Sequence, residues 1–243
     1  MASGAVGVVA AIRRYPVKSL LGEALGSARV ETRGLRGDRL WAVRDVDGRF
    51  GSGKSTRRFR RIDGLFELRA HYEGAMPVVT FPDGRAIAAG VTGIDAALSD
   101  YVGQPVTLAE EGAISHFDEG PVHLLTTASV AHFGRLLGSA VDHRRFRANL
   151  LVETPGLDGF VETSWTQARL AVGGEVVLRV VKPMVRCVMI NNAQEELPED
   201  RRLLGAIRRF NDLNLGVLAD VMRGGVVSAG DAVELLDLDG RGA

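Results

Sequence analysis

The chain has 243 residues, of which 46% are hydrophobic and 25% charged, the composition of a folded globular protein with one or two cores. Its 30 basic and 30 acidic residues cancel, so no net charge attracts nucleic acid or an anionic membrane. The single cysteine excludes an internal disulfide and multi-cysteine zinc sites. Because the sequence shows neither a signal peptide nor a bilayer-spanning run, it predicts a cytoplasmic protein with neither nucleic-acid nor membrane partners.

The first half of the chain predicts short strands joined by turns. Strands are expected at 6–12, 28–32, 40–46, 66–72 and 76–81, with a hairpin turn at 45–48. A short helix at 95–101 and a strand ending at Leu108 follow. The stretch 110–120 is rich in glycine and acidic residues and predicts a boundary between two units.

Residues 48–55 read GRFGSGKS, which matches the phosphate-binding P-loop pattern letter for letter. A true P-loop lies between a buried parallel strand and an amphipathic helix. The preceding segment instead alternates like a half-exposed antiparallel strand, and the following TRRFRR (56–61) offers little apolar face. The segment is therefore interpreted as a basic loop after a hairpin, with a nucleotide triphosphatase as the alternative.

The second half predicts more strands and two helices. Strands are expected at 122–126, 150–153, 160–165, 168–172, 217–221 and 228–235, with a hairpin turn at 173–174. One helix should run over 128–137, capped by Thr127 and ended by Gly138, and another over 198–213. Many short strands with few helices indicate a mainly β (α+β) fold.

The only cysteine, Cys187, follows Arg186 in the stretch VVLRVVKPMVRCVMIN (176–191), where Pro183 is expected to break the strand. An adjacent guanidinium favours a thiolate over a thiol, and the thiolate is the form that attacks electrophiles and binds soft metals. The alternative is that Cys187 packs as a small buried hydrophobe.

Six segments in order resemble the MOSC family, named for the C-terminal domain of molybdenum cofactor sulfurase. They are YPVKSL (15–20), GLRGDRLW (34–41), PVHLLTTASV (121–130), RFRANL (145–150), ETSW (162–165) and VRCVMIN (185–191). The layout is similar to the mitochondrial amidoxime-reducing component and its bacterial relatives. The resemblance implies a MOSC β-barrel-like domain at 113–243 after a smaller N-terminal β-barrel domain at 1–112.

In its enzymes the family implies a molybdenum–molybdopterin cofactor (Moco) bound by a cysteine, here Cys187 as metal ligand and catalytic residue. Pyridoxal phosphate binding is also associated with the family. Arginine suits the cofactor phosphate through its bidentate fork, and hydroxyls at a strand–helix junction suit an anion. The positions that match the cofactor site are Lys18, Ser19, Arg39, Thr126, Thr127, Ser129, Arg147, Asn149, Arg186 and Cys187.

Each of these residues also has a purely structural interpretation. Arg39 can pair with Asp38 at the surface, Thr127 can serve only as a helix cap, Lys18 can end a solvated strand, and Asn149 can cap a turn rather than meet the pterin edge.

Three positions depart from the family pattern. Ala148 stands where proline is frequent, and Val185 and Thr163 stand where amidoxime-reducing relatives commonly have a serine and an acid. The last two leave the exact reaction open.

The resemblance implies an oxidoreductase that reduces an N-hydroxylated or N-oxygenated small molecule. Electrons would come from a separate ferredoxin- or flavin-type reductase, since no appended ferredoxin domain is expected. Glu162 or His143 would move protons, and Lys54, Ser55, Thr56 and Arg57 would line a substrate entrance.

Two alternatives remain at this point. The first is a sulfur or molybdenum-cofactor carrier that uses a persulfide or thiolate on Cys187 without redox turnover. The second is a family member that binds nothing, with Cys187 in the core.

Overall fold

The structure is a computed structural model that describes residues 4–236. In chain order the strands are β1 (Gly4–Arg14), β2 (Val17–Lys18), β3 (Glu23–Leu25), β4 (Ser27–Glu31), β5 (Gly34–Leu35), β6 (Trp41–Asp45), β7 (Phe50–Ser52), β8 (Phe59–Arg61), β9 (Arg69–Glu73), β10 (Met76–Thr80), β11 (Ala86–Ala88), β12 (Val106–Glu110), β13 (Val122–Thr126), β14 (Leu150–Glu153), β15 (Arg169–Val172), β16 (Val176–Val185), β17 (Asn214–Arg223), β18 (Gly225–Ser228) and β19 (Ala232–Leu236). The helices are α1 (Ile94–Val102), α2 (Thr127–Leu137) and α3 (Arg202–Asn211). Single 3-10 turns lie at Leu65–Glu67, His143–Phe146, Val161–Trp165 and Val188–Asn191. The predicted mainly β fold with minor helices is confirmed.

Seven strands close into a barrel in the order β14-β13-β17-β16-β15-β19-β1, and β1 pairs back onto β14. Every neighbouring pair is antiparallel except β13 and β14, which run parallel and are connected through α2. Closure leaves no free strand edge in the ring, so the barrel is a rigid frame for the loops at its ends.

Alternate residues of the barrel strands enter two different cores, as the two-residue period of a strand requires. Leu124 and Leu150 point into the barrel, where they pack with Leu170, Leu178 and other aliphatic side chains. Leu125 and Leu151 instead pack on the second core, which carries α2 and α3. Each fully buried leucine contributes about 1.5–3 kcal/mol, so the barrel and its helical cover stabilise each other.

A second unit is built from β2, β6 to β12 and α1, whereas β3 pairs with β1 of the barrel sheet and β4 pairs with β5 and β18. Strands β12, β6, β7 and β8 form one sheet with β2 beside β6, and β11, β10 and β9 form another. Their core includes Val43, Leu68, Val79 and Leu98 from α1. The predicted domain boundary between residues 112 and 113 stays a prediction. Strand β1, although it precedes the other strands in the chain, lies in the barrel with β13 to β17 and β19.

The loop after β7 has no helix behind it. Residues 53–58 lead straight into β8, and β7 lies between β6 and β8 in the second unit's sheet. Residues 50–52 of the predicted basic loop form strand β7 instead, whereas residues 53–55 are a loop. The P-loop alternative is wrong, because a P-loop needs the N-terminus of a helix at this point.

Several local predictions were wrong, for physical reasons. Residues 160–165 form a 3-10 turn at Val161–Trp165 instead of a strand. Strand β16 continues through Pro183, because its register on β17 shifts there and proline is tolerated at such irregularities. The cap of α2 is Thr126, whose hydroxyl accepts the Ser129 N–H, whereas Thr127 was expected in this role.

Among residues 4–236, no helix combines the length and apolarity that crossing a membrane would need.

Candidate functional site

A cleft with a volume of about 240 Å³ lies where the barrel meets the second unit. Side chains from both units line it, including the residues around the end of β16 and residues of the segment before β13. The structure brings together seven of the ten predicted cofactor-binding residues here. They are Lys18, Ser19, Arg39, Arg147, Asn149, Arg186 and Cys187.

Cys187 lies just after β16, at the start of a 3-10 turn, and is partly exposed. Its neighbours Val185 and Val188 are 53% and 39% exposed, although both are apolar. The thiol is therefore reachable from the cleft, and the interpretation of Cys187 as a core residue is wrong.

Arg186 turns inward beside the thiol. Its Nη2 donates to the Phe146 carbonyl at 2.7 Å, and its Nη1 lies 3.5 Å from His123 Nε2. Burial lowers the pKa of Arg186 to about 10, the Cys187 side chain works in the opposite direction, and Arg39 adds to the lowering. The guanidinium stays charged at neutral pH without a carboxylate partner among the described residues.

Arg39 and Arg147 both lie over the ring of Tyr15, with guanidinium carbons 4.7 and 4.1 Å from the ring centroid. Arg147 Nη2 donates to the Leu20 carbonyl at 2.7 Å, and Arg39 Nη2 donates to the Arg147 carbonyl at 3.1 Å. Burial lowers the pKa of Arg147 to about 10. Arg39 also pairs with the fully buried carboxylate of Asp38, so the alternative of an ion pair at the surface is wrong.

The backbone is left-handed at three of these positions. Ser19, Arg39 and Arg147 have φ values of 65°, 51° and 54°. This conformation costs a non-glycine residue about 1–2 kcal/mol and persists only where the surroundings impose it. Its occurrence at three residues of one cleft fixes the directions of their side chains.

Lys18 is buried and already paired. Its Nζ donates to the His116 carbonyl at 2.7 Å and to Asp118 Oδ1 at 2.5 Å. Burial lowers the pKa of Lys18 to about 8, with Asp118 opposing. Burial also works against ionisation of Asp118, but the Lys18 ammonium holds the pKa of that carboxyl below its usual range. The expectation of a solvated strand end is therefore wrong for Lys18.

Residues 111–120 form a strap between β12 and β13 that reaches the cleft with Phe117, Asp118, Glu119 and Gly120. A cation of the second unit, Arg58, holds the strap through backbone hydrogen bonds. Arg58 Nη2 donates to the carbonyls of Ser115 and Phe117, the latter at 2.9 Å.

Two further arginines brace the strap at other points. Arg33 pairs with Glu111 at 2.6 Å, and the Nη2 of Arg44 lies 2.9 Å from His116 Nε2. Together with Lys18 and Arg58, these contacts hold the strap along one wall of the cleft.

Asn149 lines the cleft, but its amide is used by the backbone. Its Oδ1 accepts the His123 N–H at 3.1 Å, and its Nδ2 donates to the Arg13 carbonyl at 3.3 Å. The residue therefore joins β13 to β1 at the cleft.

Thr126, Thr127 and Ser129 are not brought to the cleft, so this part of the predicted set needs correction. The hydroxyls of Thr126 and Ser129 donate to the buried carboxylate of Glu162, at 2.6 Å for Thr126. Thr127 Oγ1 accepts the Thr154 N–H at 3.2 Å and faces a groove along α2. A buried carboxylate therefore takes the donors that were expected to meet an anion.

Neither predicted proton carrier lines the cleft. Burial raises the pKa of Glu162, although the hydrogen bonds from Ser129 and Thr126 act to lower it. His143 lines the groove along α2. The titratable cleft residues that the sequence analysis missed are Asp118, Glu119 and His123. Burial and Arg186 hold the pKa of His123 well below its usual range. The only sequence signal for it was its place in the PVHLLTTASV segment.

Of the four residues expected at a substrate entrance, only Lys54 lines the cleft. The hydroxyls of Ser55 and Thr56 accept backbone N–H groups within their own loop, and Arg57 is exposed.

Within residues 4–236 no three His, Cys, Asp or Glu side chains are grouped so as to hold a metal ion. Metal binding in the cleft would depend on the single thiol. This donor set fits a metal that arrives with most of its ligands.

Comparison with known proteins gives matches over both units. A family model for the MOSC domain matches residues 111–234, and one for the MOSC N-terminal beta barrel domain matches residues 6–118. The crystal structure of the YuaD protein from Bacillus subtilis is 14% identical and aligns over 96% of this chain and 97% of its own, with a TM-score of 0.55.

Structures of YiiM align over a smaller part of the chain. YiiM from Geobacillus stearothermophilus is 17% identical over 48% of this chain and 54% of its own, with a TM-score of 0.38. No curated protein matches the sequence. The likeness to YuaD extends over the whole chain and supports the fold.

Proposed function

The chain belongs to the MOSC domain family, and on that premise we propose that its cleft binds a molybdenum–molybdopterin cofactor through Cys187. One observation carries the proposal. Arg147 Nη1 and Arg186 Nε are buried without a hydrogen-bond partner among the described residues. A buried donor left unpaired costs about 1–3 kcal/mol, more for a charged group, and a bound anion would remove that cost.

The residues of the cleft fit the two chemical ends of such a cofactor. Cys187 offers the soft thiolate that molybdenum accepts, while Arg39, Arg147 and Arg186 offer guanidinium donors for a phosphate. The Ser19 hydroxyl has no hydrogen-bond partner within residues 4–236 and adds a neutral donor. When bound, the cofactor supplies a metal centre able to exchange two electrons.

We further propose an oxidoreductase that acts on an N-hydroxylated or N-oxygenated small molecule. Two electrons from a separate ferredoxin- or flavin-type donor and two protons would convert an N–OH group into N–H and water. Asp118 and Glu119 place carboxylates at the cleft wall, where they favour a neutral or cationic substrate over an anionic one.

A second candidate is a carrier of sulfur or of the cofactor. The partial exposure of Cys187 favours it, because a persulfide or a transferred cofactor needs access for a donor and an acceptor. It uses the same thiolate but requires no electron donor.

The deciding experiment is metal analysis of protein produced in a host that makes molybdopterin, with Cys187→Ala beside it. Thr127→Ala is the matched control, because it removes a predicted site residue that lies outside the cleft. We expect molybdenum near one per chain in the wild type and the control, and none in Cys187→Ala. A molybdenum-free wild type would contradict cofactor binding.

Turnover then separates the two candidates. Loaded protein that reduces an N-hydroxylated compound with an artificial electron donor supports the oxidoreductase. Absence of reduction together with a persulfide on Cys187, detected by mass spectrometry, supports the carrier.

A further inference from the structure

The loop that mimics a P-loop takes no part in the proposed cofactor site apart from Lys54. Residues 53–62 carry five cations and no acidic residue, in a chain whose net charge is zero. The five cations are Lys54, Arg57, Arg58, Arg60 and Arg61. We call residues 53–58 the basic arch.

The shape of the arch follows from strand pairing. Strands β7 and β8 run parallel, with Phe50 opposite Phe59 and Ser52 opposite Arg61. Parallel neighbours need a connection that returns along the strand, and these six residues supply it. Ser55, Thr56 and Arg57 in its middle are exposed, whereas the Arg58 carbonyl accepts the Phe50 N–H of β7 at 3.1 Å. Within the arch, Ser55 Oγ accepts the Arg61 N–H at 3.1 Å, which orders the loop.

Three of the five cations, Lys54, Arg57 and Arg58, form no ion pair within residues 4–236, and Arg58 is held by backbone carbonyls. The charge of Lys54 nevertheless helps to lower the pKa of the Asp118 carboxyl at the cleft wall. Arg57 is exposed and has no hydrogen bond or ion pair within residues 4–236. Lys54 lies 4.9 Å above the ring of Phe59 and has no ion pair within the same residues. By contrast, Arg61 pairs with Asp63 at 2.9 Å.

Arg60 and Arg61 also have a structural use, because β8 is the edge of its sheet and charged side chains discourage pairing with another strand. The argument therefore rests on Lys54 and Arg57.

The arch is fixed against the segment that carries Cys187. The Gly53 N–H points at Met189 Sδ at 3.0 Å, and Met189 follows Cys187 by two residues. A Cβ at Gly53 would come within 2.6 Å of that sulfur and 2.5 Å of Asn192 Nδ2. Lys54, the next residue, lines the cleft together with Cys187. A molecule seated on the arch would thus lie beside the cleft.

We infer that the basic arch is the docking surface for a small acidic electron-carrier protein, an inference that rests on the proposed redox function. Unpaired cations on a neutral protein attract an acidic partner locally and raise the rate of productive encounter. Transient redox complexes need only a small contact area, which a six-residue arch and its rim supply. A polyanion such as nucleic acid would require a larger basic field than this chain has.

Binding measurements with two probes test the inference, an acidic [2Fe–2S] ferredoxin and an acidic flavodoxin. The variant Lys54→Glu/Arg57→Glu reverses two of these unpaired charges. The matched control is Arg29→Glu/Arg208→Glu, which makes the same charge change at two exposed arginines that do not line the cleft. At low ionic strength we expect about tenfold weaker binding for the arch variant and less than about twofold for the control.

Equal weakening by both double variants would overturn the inference, as would failure of both carriers to bind the wild type. Binding of the wild type to vesicles of phosphatidylcholine and phosphatidylserine, lost in the arch variant while the carriers do not bind, would assign the arch to a membrane. The protein's molybdenum content is measured separately. Molybdenum-free protein that still binds the carriers through the arch would count against the proposed function and for the docking surface.

Discussion

Two arginine-rich regions of the molecule differ in what the guanidinium groups meet. In one, Glu195 accepts from Arg13 and Arg144 at 2.7 and 2.6 Å and lies 3.6 Å from Arg69. In the cleft, Arg147 donates to a backbone carbonyl, Arg186 meets a backbone carbonyl and His123 Nε2, and each keeps one buried nitrogen unpaired.

The two regions differ in whether a carboxylate pairs with the guanidinium groups, not in how many arginines they contain. Arg13 also has an unpaired Nε, but its charge is neutralised by Glu195. The Glu195 cluster, defined as Glu195 with Arg13, Arg69 and Arg144, is complete and braces the two units. In the cleft, Arg147 and Arg186 form no ion pair with a carboxylate among the described residues, so these two side chains are arranged for an anion that comes from outside the chain.

The largest expected effect separates these two roles. Arg147→Met/Arg186→Met should lower molybdenum retention by about a hundredfold, since each charge-assisted hydrogen bond contributes about 1.5–3 kcal/mol. Unfolding of the unloaded variant in urea should show equal or greater stability than the wild type, because two buried charges without carboxylates are removed. Destabilisation of the unloaded protein would mean that these arginines are structural.

Glu195→Gln should have the opposite profile. Loss of the shared carboxylate leaves its arginines without counter-charge and should lower the free energy of unfolding by about 2 kcal/mol. Molybdenum per folded chain should stay unchanged, because Glu195 does not line the cleft. Urea unfolding and metal analysis on the same sample check both statements. A fall in metal content would contradict the assignment of a purely structural role to Glu195.

Glu162 is the reverse case, a buried carboxylate that meets hydroxyls and a backbone N–H but no cation among the described residues. Its raised pKa means that folding favours the protonated form. The stabilisation is therefore present below the usual glutamate range and is lost as the pH rises through the raised pKa.

Glu162→Gln should remove this pH dependence while preserving the shape of the side chain. Urea midpoints measured between about pH 5 and pH 8 should fall for the wild type relative to the variant as the pH rises. Parallel pH profiles for the two proteins would show that Glu162 does not titrate in this way.

The smallest effect concerns the strap. Lys18→Met removes the ion pair between the buried Lys18 side chain and the exposed carboxylate of Asp118, and should raise the rate at which a thiol reagent labels Cys187 by about threefold. Lys182→Met is the matched control, since its pair with Glu119 is exposed, at 49% and 42%. Because Cys187 is the only cysteine, mass spectrometry reads one site, and equal rates in both variants would count against a restraining role for Lys18.

The sequence predicted the cleft best where one residue type has few other uses. The lone cysteine beside an arginine predicted Cys187 and Arg186, and the family-like segments 34–41 and 145–150 predicted Arg39 and Arg147. All four residues line one cleft. The hydroxyls of Thr126 and Ser129 could not be assigned this way. Their partner Glu162 is more than thirty residues away in the chain, and only the fold brings it to the start of α2.

The secondary structure was likewise predicted well where local pattern decides it and poorly where distant contacts do. Strands β13 and β14 agree with the predicted bounds because their alternating or continuous apolar residues enter well-defined cores. The segment 160–165 has strand-forming residues, yet it forms a 3-10 turn. Glu162 is tied there by side chains from the start of α2 and by the Gly216 N–H, so tertiary contacts override local preference.

Strand β1 gives the barrel an order of events during synthesis on the ribosome. It is made before the other described strands, yet Gly4 pairs with Leu235 and Ala5 with Glu234 of β19. The ring cannot close until β19 has emerged, whereas the second unit, formed by β2, β6 to β12 and α1, can fold earlier. A chain that is terminated before β19 would thus consist of a folded second unit attached to an open sheet with exposed, aggregation-prone edges.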